Sequence, residues 1–177
     1  MLNPRSIATT GKIDDLRLSC ACFKPDFLIV TESWLKMSHD SSLFHIDGYN
    51  LFRCDRTRTI GGGVAIYSKC NFRILNVCDN NIFGVSESLL ITFKHCNSYY
   101  VLVGIYVPPN LNAVLKKDVI DHLVEYLDRC VIDFNELRII VGGDFNNCDT
   151  SYLQRSHDLV EKVFVQRVVI LSSTSFL

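Results

Sequence analysis

The chain has 177 residues, a mass of 20.2 kDa and a hydrophobic content of 48%, which fits one domain with a buried core. This composition excludes a largely disordered chain, a collagen-like repeat and a coiled coil. The formal net charge of -1 argues against a strongly basic, charge-driven nucleic-acid binder but allows a local basic patch. No apolar run reaches the roughly 18 residues that span a bilayer, so we expect no membrane association.

The apolar patterns along the chain predict a mixed α and β fold. Apolar residues spaced by three and four are typical of helices, and short continuous apolar runs are typical of buried strands. In chain order, the predicted elements are a helix over 13–23, strands over 27–30, 63–67, 88–93 and 99–107, a helix over 120–131, a strand over 137–141 and a weaker helix over 152–165. This mixture predicts the α/β or α+β class.

The cysteines and the end of the sequence complete the organisation of the chain. The eight cysteines form no CxxC pair and no cluster with zinc-ligand spacing, so we expect free, mostly buried thiols in a reducing, intracellular compartment. Residues 163–177 carry Arg167 as their one charge and contain no Gly, Pro, Asn or Asp. That segment is either one more strand or a fused or frame-shifted end. We therefore expect a domain at 1–162 and an atypical apolar tail at 163–177.

Three polar side chains, Glu32, Tyr106 and Asp144, lie at or near the C-terminal ends of predicted buried strands. If these strands share a core, their ends converge on one edge, where α/β sites commonly form. With Asn3 and Asn146 they make up a set of oxygen-bearing groups. Two carboxylates suit a hard cation such as Mg2+, amides and hydroxyls donate to phosphate oxygens, and an Asp can accept a proton from an attacking water. The set predicts phosphodiester hydrolysis.

Short motifs around these residues resemble those of the endonuclease/exonuclease/phosphatase superfamily. Any one motif is weak, but a series in the right order is specific. The motifs are Asn-Pro-Arg-Ser-Ile at 3–7, Lys-Ile-Asp-Asp-Leu at 12–16, Thr-Glu-Ser-Trp-Leu at 31–35, Ile-Asp-Gly-Tyr at 46–49, Arg-Cys-Asp-Arg at 53–56, Gly-Gly-Gly-Val-Ala-Ile-Tyr at 61–67, Ile-Tyr-Val-Pro-Pro at 105–109 and Gly-Gly-Asp-Phe-Asn at 142–146. The series is similar to the apurinic-type endonuclease domain of non-LTR, jockey-like retrotransposons.

This resemblance implies a four-layer αββα sandwich, with two β-sheets face to face and helices outside. It implies an endonuclease dependent on Mg2+, with Mn2+ as an alternative, that nicks one DNA strand in the nucleus and leaves a 3'-hydroxyl. That end would prime a reverse transcriptase domain in the same polyprotein. The implied roles are metal binding by Glu32 and Asn3, phosphate contact by Tyr106, water activation by Asp144, and orientation of Asp144 by Asn146.

The sequence departs from this pattern at both ends. The family pattern closes with a second acidic segment and a Ser-Asp-His motif, whereas the Ser-His-Asp at 156–158 has the wrong order and follows Asn146 too closely. Only two residues precede Asn3, in place of a strand. We therefore expect an incomplete sandwich without its last strands and little or no activity, because losing one member of a coupled catalytic set lowers the rate by orders of magnitude. The alternatives are a non-catalytic or domesticated DNA-binding remnant, and a phosphatase or phosphodiesterase of the same superfamily.

Three features near the motifs each have two interpretations. Arg53, Arg56 and Arg58 are either contacts to the DNA backbone or members of a solvated turn. Glu87 either supports the site from behind or begins a solvated strand. The glycines at 61–63 are either a phosphate cradle or a close approach of two backbones, and the second is favoured because no P-loop lysine follows them.

Overall fold

The computed structural model describes residues 4–57, 59–82, 84–132, 137–146 and 148. The helix predicted over 152–165, the tail over 163–177 and the boundary between them and the domain lie outside these ranges. The described elements are α1 (Lys12–Phe23), β1 (Phe27–Thr31), a 3-10 helix (Ser41–Phe44), β2 (Tyr49–Cys54), β3 (Val64–Lys69), β4 (Arg73–Ile82), β5 (Ser86–His95), β6 (Ser98–Tyr106), α2 (Ala113–Ile132) and β7 (Leu137–Asp144). Every element predicted within these ranges is present. Neither described α-helix is both long and apolar enough to cross a membrane.

The strands form two sheets. Sheet A has the order β1-β3-β2 and is antiparallel, with β3 in the centre. Sheet B has the order β4-β5-β6-β7, in which β4, β5 and β6 are antiparallel and β7 runs parallel to β6. A parallel pair needs a crossover connection, which α2 supplies. The C-terminal ends of β6 and β7 therefore meet at one edge of sheet B.

The inner faces of the two sheets pack against each other in one apolar cluster. Because side chains alternate along a strand, Phe27 and Ile29 of β1 share this layer with Leu89 of β5. At Gly104 of β6 the sheets approach so closely that an added Cβ would lie 2.9 Å from Val64 Cγ1. A close-packed interior of this kind transmits strain, so it fixes the position of one sheet relative to the other.

The helices cover the outer faces of the sheets. Leu16 of α1 is buried in the same cluster as Leu28 of β1, and Leu123 of α2 is buried in the same cluster as Val101 of β6. The carboxamide of Asn112 caps α2 by accepting a hydrogen bond from a backbone N–H of its first turn. Helix, sheet, sheet and helix thus make four layers, and the predicted αββα arrangement is confirmed.

The strands β2 and β4 were not predicted, because neither is a continuous apolar run. β4 contains Asp79, Asn80 and Asn81, which usually favour turns, and most of its side chains are exposed at the edge of sheet B. β2 is buried only at its two ends and half-buried or exposed between them. Pairing with a neighbouring strand, rather than local preference, therefore determines both elements.

The cysteines in the described part of the chain are free, as predicted, but the expectation that most of them are buried is wrong. Cys20 and Cys54 are buried, whereas Cys22, Cys70 and Cys96 are exposed. Cys22 lies on the solvent side of α1, Cys70 in the turn between β3 and β4, and Cys96 in the turn between β5 and β6. Burial raises the pKa of Cys20 to about 11 and that of Cys54 to about 12.

Candidate active site

The parallel ends of β6 and β7 place Tyr106 and Asp144 side by side. The two residues are register partners, and the backbone N–H of Val107 donates to the Asp144 carbonyl at 2.9 Å. Tyr106 is buried, while Asp144 is half-buried. Two of the predicted site residues therefore meet at one sheet edge because the strands that carry them are hydrogen-bonded neighbours.

Glu32 reaches the same place from the other sheet. It is the first residue after β1, and its carboxylate accepts a hydrogen bond from the Tyr106 hydroxyl. Its φ of 52° and the φ of 55° at Trp34 lie in the left-handed region. Such backbone conformations cost about 1–3 kcal/mol each and persist only where the surroundings enforce them. The strained backbone at these two positions therefore turns the Glu32 side chain toward Tyr106.

Two neighbouring segments hold the backbone around Glu32. On one side, Ser6 N donates to the Glu32 carbonyl at 2.8 Å. On the other side, Ser33 N donates to Gly63 O at 3.2 Å, and Trp34 N donates to the carbonyl of Gly62 at 3.0 Å. The opening motif and the glycine triplet therefore both lie against the Glu32 segment. Asn3 itself lies outside the described residues.

Asn146 is the fourth predicted residue at this edge. Its φ of 42° is left-handed, which Asn tolerates better than most residues. Its backbone N–H donates to Asp144 Oδ1 at 3.3 Å, and its side-chain Nδ2 donates to Val107 O at 2.9 Å. The ammonium group of Lys116 donates to the Asn146 carbonyl at 2.6 Å. These bonds orient the Asn146 carboxamide and occupy one oxygen of Asp144.

The electrostatics of the site keep the Tyr106 phenol protonated. Burial is the largest cause that raises the pKa of Tyr106, followed by the Glu32 carboxylate, which both repels the phenolate and accepts the hydroxyl proton. Asp144 raises the pKa further, while the Arg56 guanidinium lowers it in part. At neutral pH the Tyr106 hydroxyl is therefore a hydrogen-bond donor.

This raised pKa has a consequence for stability in alkali. A tyrosine in the unfolded chain ionises near pH 10, so above that pH ionisation favours the unfolded state while Tyr106 in the folded state keeps its proton. We expect the stability advantage of the wild type over Tyr106→Phe to shrink by about 1.4 kcal/mol between pH 8 and pH 11. Urea unfolding at both pH values measures this, and an advantage that stays constant would contradict it.

The donor set fits a hard divalent cation. Glu32, Asp144 and Asn146 offer only oxygen as potential ligands, which is the preference of Mg2+. Both carboxylates act on the same Tyr106 hydroxyl, so negative charge from both sheets concentrates at one point. No cluster of three or more His, Cys, Asp or Glu side chains occurs within the described ranges. Mg2+ commonly keeps several waters and binds through one or two carboxylates plus substrate phosphate, and Glu32 and Asp144 supply two carboxylates.

The predicted arginines have different surroundings. Arg53 forms an ion pair with Asp55 at 2.5 Å and donates to the carbonyl groups of Lys36 and His39. Arg56 forms an ion pair with Glu87 at 2.6 Å. Neither arginine lies in a solvated turn, so that interpretation is wrong for both, and their contact with DNA stays a prediction. Arg58 lies outside the described residues.

Glu87 lies closer to the site than its position at the start of a predicted strand indicated. Its side chain is 0% exposed, so the interpretation as a solvated strand start is wrong. The alternation of β5 contained the signal, because residue 87 falls on the same strand face as Leu89 and Ile91, which point between the sheets. The glycine triplet makes the predicted close approach of two backbones, since its carbonyl groups at Gly62 and Gly63 accept hydrogen bonds from Trp34 N and Ser33 N.

Comparisons with known proteins agree with this architecture. Residues 8–158 match the sequence profile of the Endonuclease/Exonuclease/phosphatase family. A search of the curated proteins found no match. Among solved structures, D. rerio TDP2 complexed with single strand DNA product has a TM-score of 0.65 and 13% identity, over 86% of this chain and 61% of that one. The human Nocturnin catalytic domain with bound sulfate anion has a TM-score of 0.65 and 16% identity, over 82% and 63%.

A third similar structure is ANGEL2, a 2',3'-cyclic phosphatase, in complex with adenosine-2',3'-vanadate, with a TM-score of 0.59 and 18% identity, over 75% of this chain and 43% of that one. The chain thus spans less than two thirds of the length of each of these structures. At these identities the structural likeness establishes the fold, while the sequence profile covers most of the chain. The chain belongs to the Endonuclease/Exonuclease/phosphatase family.

Proposed function

We propose that this chain is the Mg2+-dependent DNA endonuclease domain of a non-LTR retrotransposon. Members of the family hydrolyse phosphodiester bonds and typically depend on a divalent metal. The observation that carries the proposal is the position of Tyr106, whose hydroxyl donates to Glu32 of one sheet while its backbone pairs with Asp144 of the other. A phosphate placed against that hydroxyl would lie between the two carboxylates.

The chemistry follows from the protonation and hydrogen bonding of these side chains. Mg2+ bound at Glu32, with Asn3 as a second ligand, would neutralise charge on the scissile phosphate. With a cation at the Glu32 carboxylate, the single O–H of Tyr106, which donates to Glu32 in this structure, would turn to donate to a phosphate oxygen. Asp144, which already accepts a backbone hydrogen bond from Asn146, is held to accept a proton from the attacking water. Asn146 orients Asp144 through its backbone N–H, and its carboxamide, anchored through Nδ2, would hold the phosphate.

The retrotransposon assignment rests on motifs rather than on the shared fold. The opening motif packs beside Glu32 through Ser6, and the Arg-Cys-Asp-Arg motif leads into the glycine triplet beside it. DNA as the substrate agrees with the D. rerio TDP2 structure, which is a complex with single strand DNA product. A nick with a 3'-hydroxyl would serve a reverse transcriptase domain of the parent polyprotein in the nucleus. Mn2+ is expected to replace Mg2+, since both prefer oxygen ligands.

Nicking of supercoiled plasmid tests this proposal. With Mg2+ or Mn2+ we expect conversion to the open circle, and EDTA should stop it. Extension of the nick by a DNA polymerase would show a 3'-hydroxyl. DNA binding without any metal-dependent nicking would instead favour a non-catalytic binding module. Hydrolysis of small phosphate esters with no action on DNA would favour a phosphatase.

A further inference from the structure

A buried ion pair lies between the two sheets, directly behind the candidate site. Arg56 Nε and Nη2 donate to the two carboxylate oxygens of Glu87 at 2.6 and 2.9 Å. The Arg56 side chain is 10% exposed and that of Glu87 is 0% exposed. The backbone N–H of Gly63 donates to Glu87 at 3.1 Å, and Arg56 Nη2 also donates to Val85 O at 3.1 Å. Both charged groups are thus paired and hydrogen-bonded.

The pair contacts the residue on which the site depends. Arg56 Cζ lies 5.4 Å from the centroid of the Tyr106 ring, a distance typical of a cation–π contact. Glu87 and Tyr106 are direct partners on adjacent antiparallel strands, so they lie on the same face of sheet B. The Ser86 hydroxyl donates to the Tyr106 carbonyl at 2.6 Å. Tyr106 is therefore held through its ring and its backbone by the start of β5 and by Arg56.

The same pair also braces the segment that carries Glu32. Glu87 accepts from Gly63 N, and the carbonyl groups of Gly62 and Gly63 accept from the two residues that follow Glu32. Contacts therefore lead from Glu87 through Arg56 to the Tyr106 ring, and through Gly63 to the segment that follows Glu32.

A role in stability alone does not account for this arrangement. Removing two charges from water is so costly that apolar replacements of similar volume are often neutral or stabilising. A leucine at position 87 would continue the apolar face of β5 that Leu89 and Ile91 form. The ion pair instead places a charged side chain on that apolar face of β5, at the end of the strand that adjoins the candidate site.

We propose that Glu87 and Arg56 are positioning residues, which hold the Tyr106 ring and the Glu32 segment so that the Tyr106 hydroxyl and the Glu32 carboxylate meet at the metal and phosphate site. This inference rests on the function proposed above. It assigns Glu87 and Arg56 an effect that acts through Tyr106 and Glu32, which is separate from the predicted contact of Arg56 with the DNA backbone.

The test separates position from stability by replacing the whole pair. In Arg56→Met/Glu87→Leu the ion pair becomes apolar at similar volume. Three quantities are measured on the full chain labelled with 3-fluorotyrosine: the urea midpoint, the fluorine resonance of Tyr106, and the affinity for Mn2+ alone. The Tyr106 resonance is the one that disappears in Tyr106→Phe. The matched control is Lys69→Met/Asp26→Leu. It removes an ion pair at the other end of β3, in which Lys69 Nζ lies 2.7 Å from Asp26 Oδ1.

We expect the double variant to unfold at a urea midpoint no lower than that of the wild type, while its Tyr106 resonance shifts and its Mn2+ affinity falls about 10-fold. The control should change neither the resonance nor the affinity. A double variant with the wild-type resonance would overturn the proposal, since the pair would then act on stability alone. If the double variant does not fold, Arg56→Lys is the deciding variant, because it keeps the positive charge but loses the two parallel hydrogen bonds to Glu87. Arg56→Lys is also expected to shift the Tyr106 resonance. An unshifted Tyr106 resonance in this variant would overturn the proposal.

The two proposals fail in different ways. A wild type that neither binds Mn2+ nor nicks DNA would end the proposed function, while the Tyr106 resonance would still decide the positioning role. A wild type that binds Mn2+ and nicks DNA, with variants that keep the wild-type resonance and affinity, would end the positioning role alone.

Discussion

Glu32→Gln is expected to lower metal-dependent nicking at least about 100-fold, a loss of the size seen when one charge-stabilising group is removed from an active site. The amide has nearly the size of the carboxylate, and its oxygen can still accept the hydrogen bond from the Tyr106 hydroxyl. The fold should therefore lose no more than about 1 kcal/mol. What disappears is the negative charge that holds the cation, so Mn2+ affinity should fall together with the rate.

The matched control is Glu125→Gln on the exposed side of α2, which makes the same chemical change away from the site. Rates from plasmid nicking and affinities from calorimetry with Mn2+ are compared with urea midpoints for both variants. Unchanged Mn2+ affinity and nicking in Glu32→Gln would contradict the assignment of Glu32 as the metal ligand. A large loss of stability would contradict the role of its amide as a substitute acceptor.

Gly143→Ala is expected to destabilise the fold by more than about 4 kcal/mol, which is exceptional for a single methyl group. A Cβ at this position would lie 2.0 Å from the carbonyl oxygen of Ile105, on the register partner in β6. The obstacle is backbone, so it cannot move without breaking the pairing of β6 with β7. Urea or thermal unfolding of the purified variant, or its failure to accumulate as soluble protein, measures the effect.

The neighbouring Gly142→Ala provides the comparison for this prediction. Its Cβ would meet only the Cδ1 atom of Ile29, at 2.9 Å, and that atom is the end of a flexible side chain. We expect a cost of about 1 kcal/mol from such mild overpacking. Equal effects of the two substitutions would show that backbone contact at Gly143 is not what requires a glycine there.

The sequence predicted the elements and the convergence of side chains where local pattern and topology agree. The apolar runs that end at Thr31, Tyr106 and Asp144 are strands whose ends adjoin. Tyr106 and Asp144 end two strands that are parallel neighbours in one sheet, so their proximity at its edge was predictable. The strand-end pattern also predicted that Glu32 joins them, but for a different physical reason: β1 belongs to the other sheet, so packing of the two sheets rather than strand pairing brings Glu32 to the site.

The rest depended on contacts between distant segments. Neither the partner of Glu87 nor the burial of Arg56 follows from local sequence, because 31 positions and a change of sheet separate them. The strands β2 and β4 exist through pairing that their own polar residues do not favour. The left-handed backbone at Glu32 also has no local signal, since Glu rarely adopts it.

The division of the site between the two sheets makes catalysis sensitive to substitutions that are far from any reacting group. Glu32 moves with sheet A, while Tyr106 and Asp144 move with sheet B, and the shared apolar layer, together with the Arg56–Glu87 pair, sets the gap between them. A larger side chain at Gly104, in the middle of that layer, would wedge the sheets apart against Val64 and Ile29. Under the proposed function, changes in the volume of this layer would lower activity before they unfolded the protein, so interior volume is under functional as well as structural constraint.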